Sequence, residues 1–221
     1  MFARPWATFC LLNLVVFPAW GAAADAPPDA LVVYLTADAG QSPHVLDSLK
    51  RELGQLMQTA GYDLVWVDAG TRAPETASPL IVASLHGVCA LPAGSAPPAP
   101  LEKAVSLGST ALSDGHMLPF SSVNCTALAR LLAPSLGAEP PARRDFLFGR
   151  AAARVLAHEF YHVLAGDREH AAEGIAKPAF GPADLLAEHL PFEPATLVKL
   201  LSRKPASVTE TAAGDDSSGR N

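Results

Sequence analysis

The chain is short of basic residues. Sixteen Lys and Arg stand against 22 Asp and Glu, a formal net charge of −6, whereas a nucleic-acid partner needs a clustered excess of cations to displace the counterions of its phosphates. Nucleic acid is therefore not expected as a partner. Cysteine is scarce as well, with three in 221 residues. Past Ala24 no apolar run approaches the roughly 20 residues that a bilayer span requires, so stable membrane insertion beyond that point is not expected. No internal repeat is visible, no methionine follows Met117, and no tyrosine follows Tyr161.

The first 24 residues carry the three parts of a secretory signal peptide. Arg4 gives a positive start, Phe9 to Phe17 is apolar, and Ala22-Ala23-Ala24 offers a small-residue cleavage site. The apolar run is interrupted by Asn13 and Pro18 and is short for an anchor. Cleavage after Ala24 predicts a secreted or periplasmic protein that begins at Asp25. Cys10 lies within the signal, which leaves Cys89 and Cys125 for an oxidising compartment. Their spacing has no metal-site pattern, so a disulfide is expected; closing that loop stabilises the fold by about 4 kcal/mol on the chain-entropy model. Residues 25–204 are long enough for one domain with a proper core. The small, polar, acidic stretch 205–221 reads as a disordered tail.

Leu31-Val32-Val33-Tyr34-Leu35 suits a central strand buried on both faces. Pro43 opens a helical period that runs to Ala60 and stops at Gly61. Two further strands are expected at Tyr62–Val67 and Leu80–Leu85, followed by a Pro, Ala and Gly-rich loop from Leu91 to Pro100. Ser113-Asp114-Gly115 between Ala104–Leu112 and Met117–Asn124 predicts a hairpin. A short helix over Thr126–Leu132 should end at Pro134. From Asp145 to Ala165 a helix is apolar on most of its circumference, which places it inside the domain. Arg150 and Arg154 gather with Tyr161 on its one narrow polar side and are expected to pair with acids on neighbouring elements. Gly181–Leu190 and Pro194–Ser202 read as two more short helices.

That internal helix carries His158-Glu159-Phe160-Tyr161-His162, an H-E-x-x-H run. Shuffling this composition yields such a pentapeptide in about one chain in a hundred. On a helix, positions four apart stand one turn above each other, so the two imidazoles can converge on one Zn²⁺. Glu159 is rotated about 100° from His158. Its carboxylate then lies beside the metal, where a general base can take a proton from a metal-bound water.

A catalytic zinc needs a third protein ligand and an open position. His170, four residues past Gly166, is the first candidate, because a left-handed glycine can turn the chain back under the metal. Glu173 and Glu188 are the alternatives, and Asp167 and Glu169 compete for the same role. No oxyanion-stabilising group is evident in the motif; Lys177, His189 and His116 are candidates beside the metal itself.

His158-Glu159-x-x-His162, followed by a glycine and a third histidine, resembles the zincin metallopeptidases, and most closely their metzincin branch. The element order over residues 31–170 resembles that fold too: strand, helix, two strands, an antiparallel edge strand, another strand, then the motif helix. The turn from His162 to His170 is longer than the metzincin one, and the methionine turn is missing. Membership of a group of secreted bacterial H-E-x-x-H proteins is the other resemblance. The likeness implies an α/β (α+β) zincin-like single domain, with a mixed sheet of about five strands, an antiparallel edge hairpin, and two main helices including the motif helix. It also implies zinc-dependent hydrolysis of a peptide or protein substrate, with the substrate main chain docked along the edge strand. A catalytically inactive zincin-like binding domain, or a zincin using Glu173 or Glu188, stands as the alternative. Oligomeric state is not legible.

Overall fold

In the computed structural model, which describes residues 30–67, 79–91 and 105–204, the Leu31–Leu35 run lies in strand β1 (Ala30–Ala37). Its first four residues are all buried, as the unbroken apolar run requires of a strand covered on both faces. Helix α1 (Pro43–Thr59) follows, with proline in its first turn, and Gly61 then turns the chain at φ 83°. Strand β2 (Asp63–Val67) returns parallel to β1 on one side, and β3 (Leu80–His86) runs parallel to it on the other. The signal-peptide and tail readings, Ala104, and nearly all of the loop 91–100 fall outside the described residues.

The Asp-Gly signal produces the hairpin. Strands β4 (Gly108–Ser113) and β5 (His116–Asn124) pair antiparallel around Asp114 and Gly115. Both of these residues have positive φ, 50° and 82°, the combination a two-residue type I′ turn demands. Because β5 also runs parallel to β3, the five strands form one mixed sheet in the order β2-β1-β3-β5-β4. This leaves β4 at the edge, antiparallel to its neighbour. The domain is a single α/β unit in which the buried residues of β3, Ile81, Ala83 and Leu85, belong to one core with the helices.

Helix α2 (Cys125–Leu136) does not stop at Pro134, contrary to the sequence expectation. Proline removes one helical bond near the end of the helix. Against that loss, the apolar face Leu128, Leu132 and Leu136 is fully or almost fully buried, and one buried leucine contributes about 1.5–3 kcal/mol. Cys125 begins this helix and forms a disulfide with Cys89, just past β3, at a Cα separation of 4.7 Å. Both cysteines are fully buried. Replacing the pair by Ser and Ala is expected to lower unfolding stability by about 2–4 kcal/mol in denaturant titration; a loss under about 0.5 kcal/mol contradicts it.

Helix α3 (Pro141–Ala165) begins one turn earlier than Asp145, with Pro141 in its first turn. It crosses α1 closely at Gly149, where a Cβ would lie 2.6 Å from Ser48 Cβ. Arg154 of α3 is buried and bonds Glu52 of α1 at 3.0 Å, while Arg150 lies 3.7 Å from the same carboxylate. Both arginines thus pair with an acid on a neighbouring element. Arg154 also donates to the carbonyls of Asp184, Leu185 and Ala187 at 2.8, 3.2 and 2.8 Å. In a helix that ran on to Leu190 the carbonyls of Asp184 and Leu185 would accept from residues 188 and 189; held by the guanidinium instead, helix α4 is only Pro182–Leu186. Helix α5 (Pro194–Arg203) completes the described chain. No helix among the described residues is long and apolar enough to cross a membrane.

Candidate metal centre

His158, Glu159 and His162 sit on the last two turns of α3, each at most 9% exposed. Gly166 ends the helix in the left-handed region, φ 64° and ψ 25°, with its N–H donating to His162 O. The chain then bends back. Lys199 of α5 clamps the bend by bonding Asp167 Oδ2 at 2.7 Å and Glu169 Oε2 at 2.9 Å; these two carboxylates hold its ammonium above its ordinary pKa. His170 arrives exposed, its ring centroid 5.2 Å from that of His158 and 4.9 Å from that of His162.

The hydrogen bonds behind the rings fix what faces the front. His158 Nδ1 lies 2.9 Å from Ile175 O, and His162 Nδ1 lies 3.0 Å from Asp167 O. A carbonyl only accepts, so each Nδ1 carries the proton and each neutral ring presents a bare Nε2. Those two Nε2 atoms are 3.1 Å apart. Two lone pairs cannot hydrogen-bond each other, and two nitrogens on one tetrahedral Zn²⁺, each at about 2.1 Å, stand roughly 3.4 Å apart. The pair therefore has the chemistry and nearly the spacing of two ligands of one ion. With His170 the ligand atoms all lie within 4.8 Å of one another. Among the described residues no other group of His, Cys, Asp or Glu comes together in this way.

Of the alternative third ligands, Glu173 is exposed, its N–H bonded to Glu193 Oε1, and Glu188 is an exposed partner of His189 at 3.9 Å. Neither joins the cluster. Burial pushes His158 down to about 4, partly offset by its bond to Ile175. Burial also lowers His162. Near pH 7 both rings are thus neutral, the state that ligates.

Burial acts on Glu159 in the opposite sense, raising it to about 7 against the stabilising bond from Thr110. Thr110 Oγ1 lies 2.8 Å from Glu159 Oε2 and 3.1 Å from its backbone oxygen. The carboxylate opens onto a cleft of about 430 Å³ between the segment that leads into β4 (residues 105–108), α3, and the segment 177–180. Phe180 meets the edge of the His158 ring there at 5.5 Å. Of the three oxyanion candidates, Lys177 lines this cleft, paired with Asp184 at 2.5 Å. His116 and His189 are exposed elsewhere.

Sequence reasoning missed Thr110, the two carbonyls and Lys199. The carbonyls belong to backbone that no side-chain pattern marks, and Thr110 lies 49 positions from Glu159. No protein-family model matches the chain, and no curated protein matches it at a significant level.

Proposed function

We propose that the protein is an exported zinc-dependent peptidase of zincin type. The observation that carries this reading is the pair of bare Nε2 atoms 3.1 Å apart, with Glu159 at the next helical position facing a cleft. His158, His162 and His170 are the proposed holders of the metal, and an all-imidazole set favours Zn²⁺. Zn²⁺ bound there would supply Lewis acidity, polarising a carbonyl and lowering the pKa of water. Glu159 accepts the proton of the attacking water and can return it to the leaving amine. Strand β4, at the sheet edge and lying over α3, offers its free edge to an extended peptide.

The zincin likeness is supported by the order of elements, with β4 antiparallel at the edge beside the motif helix. The departure is α2, which intervenes between β5 and α3. Export is supported by the signal-like N-terminal sequence and by the disulfide.

The test is metal analysis joined to turnover. The purified protein should hold about one zinc per chain and cleave a broad peptide library, losing activity on chelation and regaining it with zinc. His170→Ala should weaken zinc binding by at least about 100-fold, while Glu173→Ala and Glu188→Ala leave it unchanged. A zinc-loaded chain that cleaves nothing would overturn the peptidase reading in favour of a binding domain.

A further inference from the structure

Side chains alternate across a strand, so Gly108 and Thr110 share one face of β4, the face turned to α3. Together they meet both oxygens of one carboxylate. The Thr110 hydroxyl reaches Glu159 Oε2 at 2.8 Å. At Gly108 a Cβ would stand 2.7 Å from Glu159 Oε1 and 2.7 Å from Val155 Cγ1, well inside van der Waals contact. A side chain at this position would push the Glu159 carboxylate and Val155 away from the strand. Gly108 and Glu159 line the same cleft, and Oε1 is the oxygen that Thr110 does not hold.

We infer that Gly108 and Thr110 form a seat for the Glu159 carboxylate, in which Thr110 acts as a positioning residue that holds Oε2 and leaves Oε1 free to take a proton. This rests on the reading of Glu159 as the base. A glutamate side chain has three rotatable bonds, and an unheld carboxylate spreads over several rotamers. A hydroxyl donating to a carboxylate is a strong, charge-assisted hydrogen bond. Fixing the base before substrate arrives matters because a misplacement of about 1 Å can cost about 100-fold in rate.

The test uses the zinc-loaded full chain carrying Thr110→Val, Thr110→Ser or Gly108→Ala, with kinetics and crystal structures of each. Thr110→Val should lower kcat by about 10–100-fold, with KM within about twofold and zinc content unchanged. Thr110→Ser keeps the hydroxyl and should recover kcat to within about threefold of the parent. In the crystal structures the Glu159 carboxylate should leave β4 in Thr110→Val and stay on it in Thr110→Ser. A carboxylate unmoved in Thr110→Val overturns the seat whatever the activity. If the parent chain turns over no peptide but Thr110→Val still displaces the carboxylate, the peptidase reading falls and the seat stands. Should Gly108→Ala disrupt the strand, the Thr110 variants decide alone.

Discussion

Glu159→Gln is expected to reduce kcat by about 10²–10⁴-fold, the usual contribution of a general base, while zinc content stays unchanged. Glutamine matches glutamate in size, and Thr110 can donate to its amide oxygen as it does to Glu159 Oε2. The side chain should therefore stay in place, and the only function lost is proton acceptance. Glu159 is not among the clustered ligands, so metal retention separates loss of a base from loss of the site. In the metal-free chain burial raises Glu159 to about 7. Unaltered kcat in Glu159→Gln would remove the carboxylate from the chemistry.

The same burial has a consequence for the metal-free protein. A carboxyl whose folded pKa lies above its unfolded value binds more protons when folded, so its effect on stability worsens as pH rises from about 4.5 to about 7. Metal-free Glu159→Gln lacks that charge. It should unfold at about the parent's denaturant midpoint at pH 4.5 and at a higher one at pH 8.

What the sequence made legible was local. The H-E-x-x-H pair sits four positions apart on one helix, and His170 follows within a single bend at Gly166, so spacing alone could bring the three histidines near one another. Asp114-Gly115 likewise specifies its own turn geometry through positive φ, and with it the antiparallel edge strand. The rest depends on contacts between distant segments. The tautomer of His158 is fixed by Ile175 O, and the bend is held by Lys199 from another helix. The proline rule failed at Pro134 because tertiary burial of Leu136 outweighs one lost bond. The 181–190 helix was overestimated because Arg154, 30 positions or more upstream, takes its carbonyls.

Arg154→Met is expected to destabilise the fold by about 3–5 kcal/mol, the range for removing one member of a buried ion pair. Arg154 is 1% exposed and Glu52 16% exposed on its side chain, so water cannot replace the lost partner fully. Burial lowers the pKa of Arg154, and Glu52 opposes that effect; the guanidinium is charged throughout the accessible pH range, so Glu52 compensates a charge that is always present. Methionine fills similar volume without a donor. It leaves Glu52 with Arg150 alone, at 3.7 Å, and deprives the carbonyls of Asp184 and Leu185 of this donor, while Ala187 O keeps Arg150 Nη1 at 3.1 Å. Adding Glu52→Gln removes the weakly paired charge, so the double variant should be less destabilised than the sum of the single ones. Denaturant unfolding of all four proteins measures this coupling, and a loss below about 1 kcal/mol in Arg154→Met would show that Arg154 is not what binds α3 to α1 and α4. The effect should reach the cleft as well, because Asp184 in that segment holds Lys177 at the cleft wall. Arg154→Met folded at low temperature should therefore raise KM more than it lowers kcat, since His158, Glu159 and His162 remain on α3.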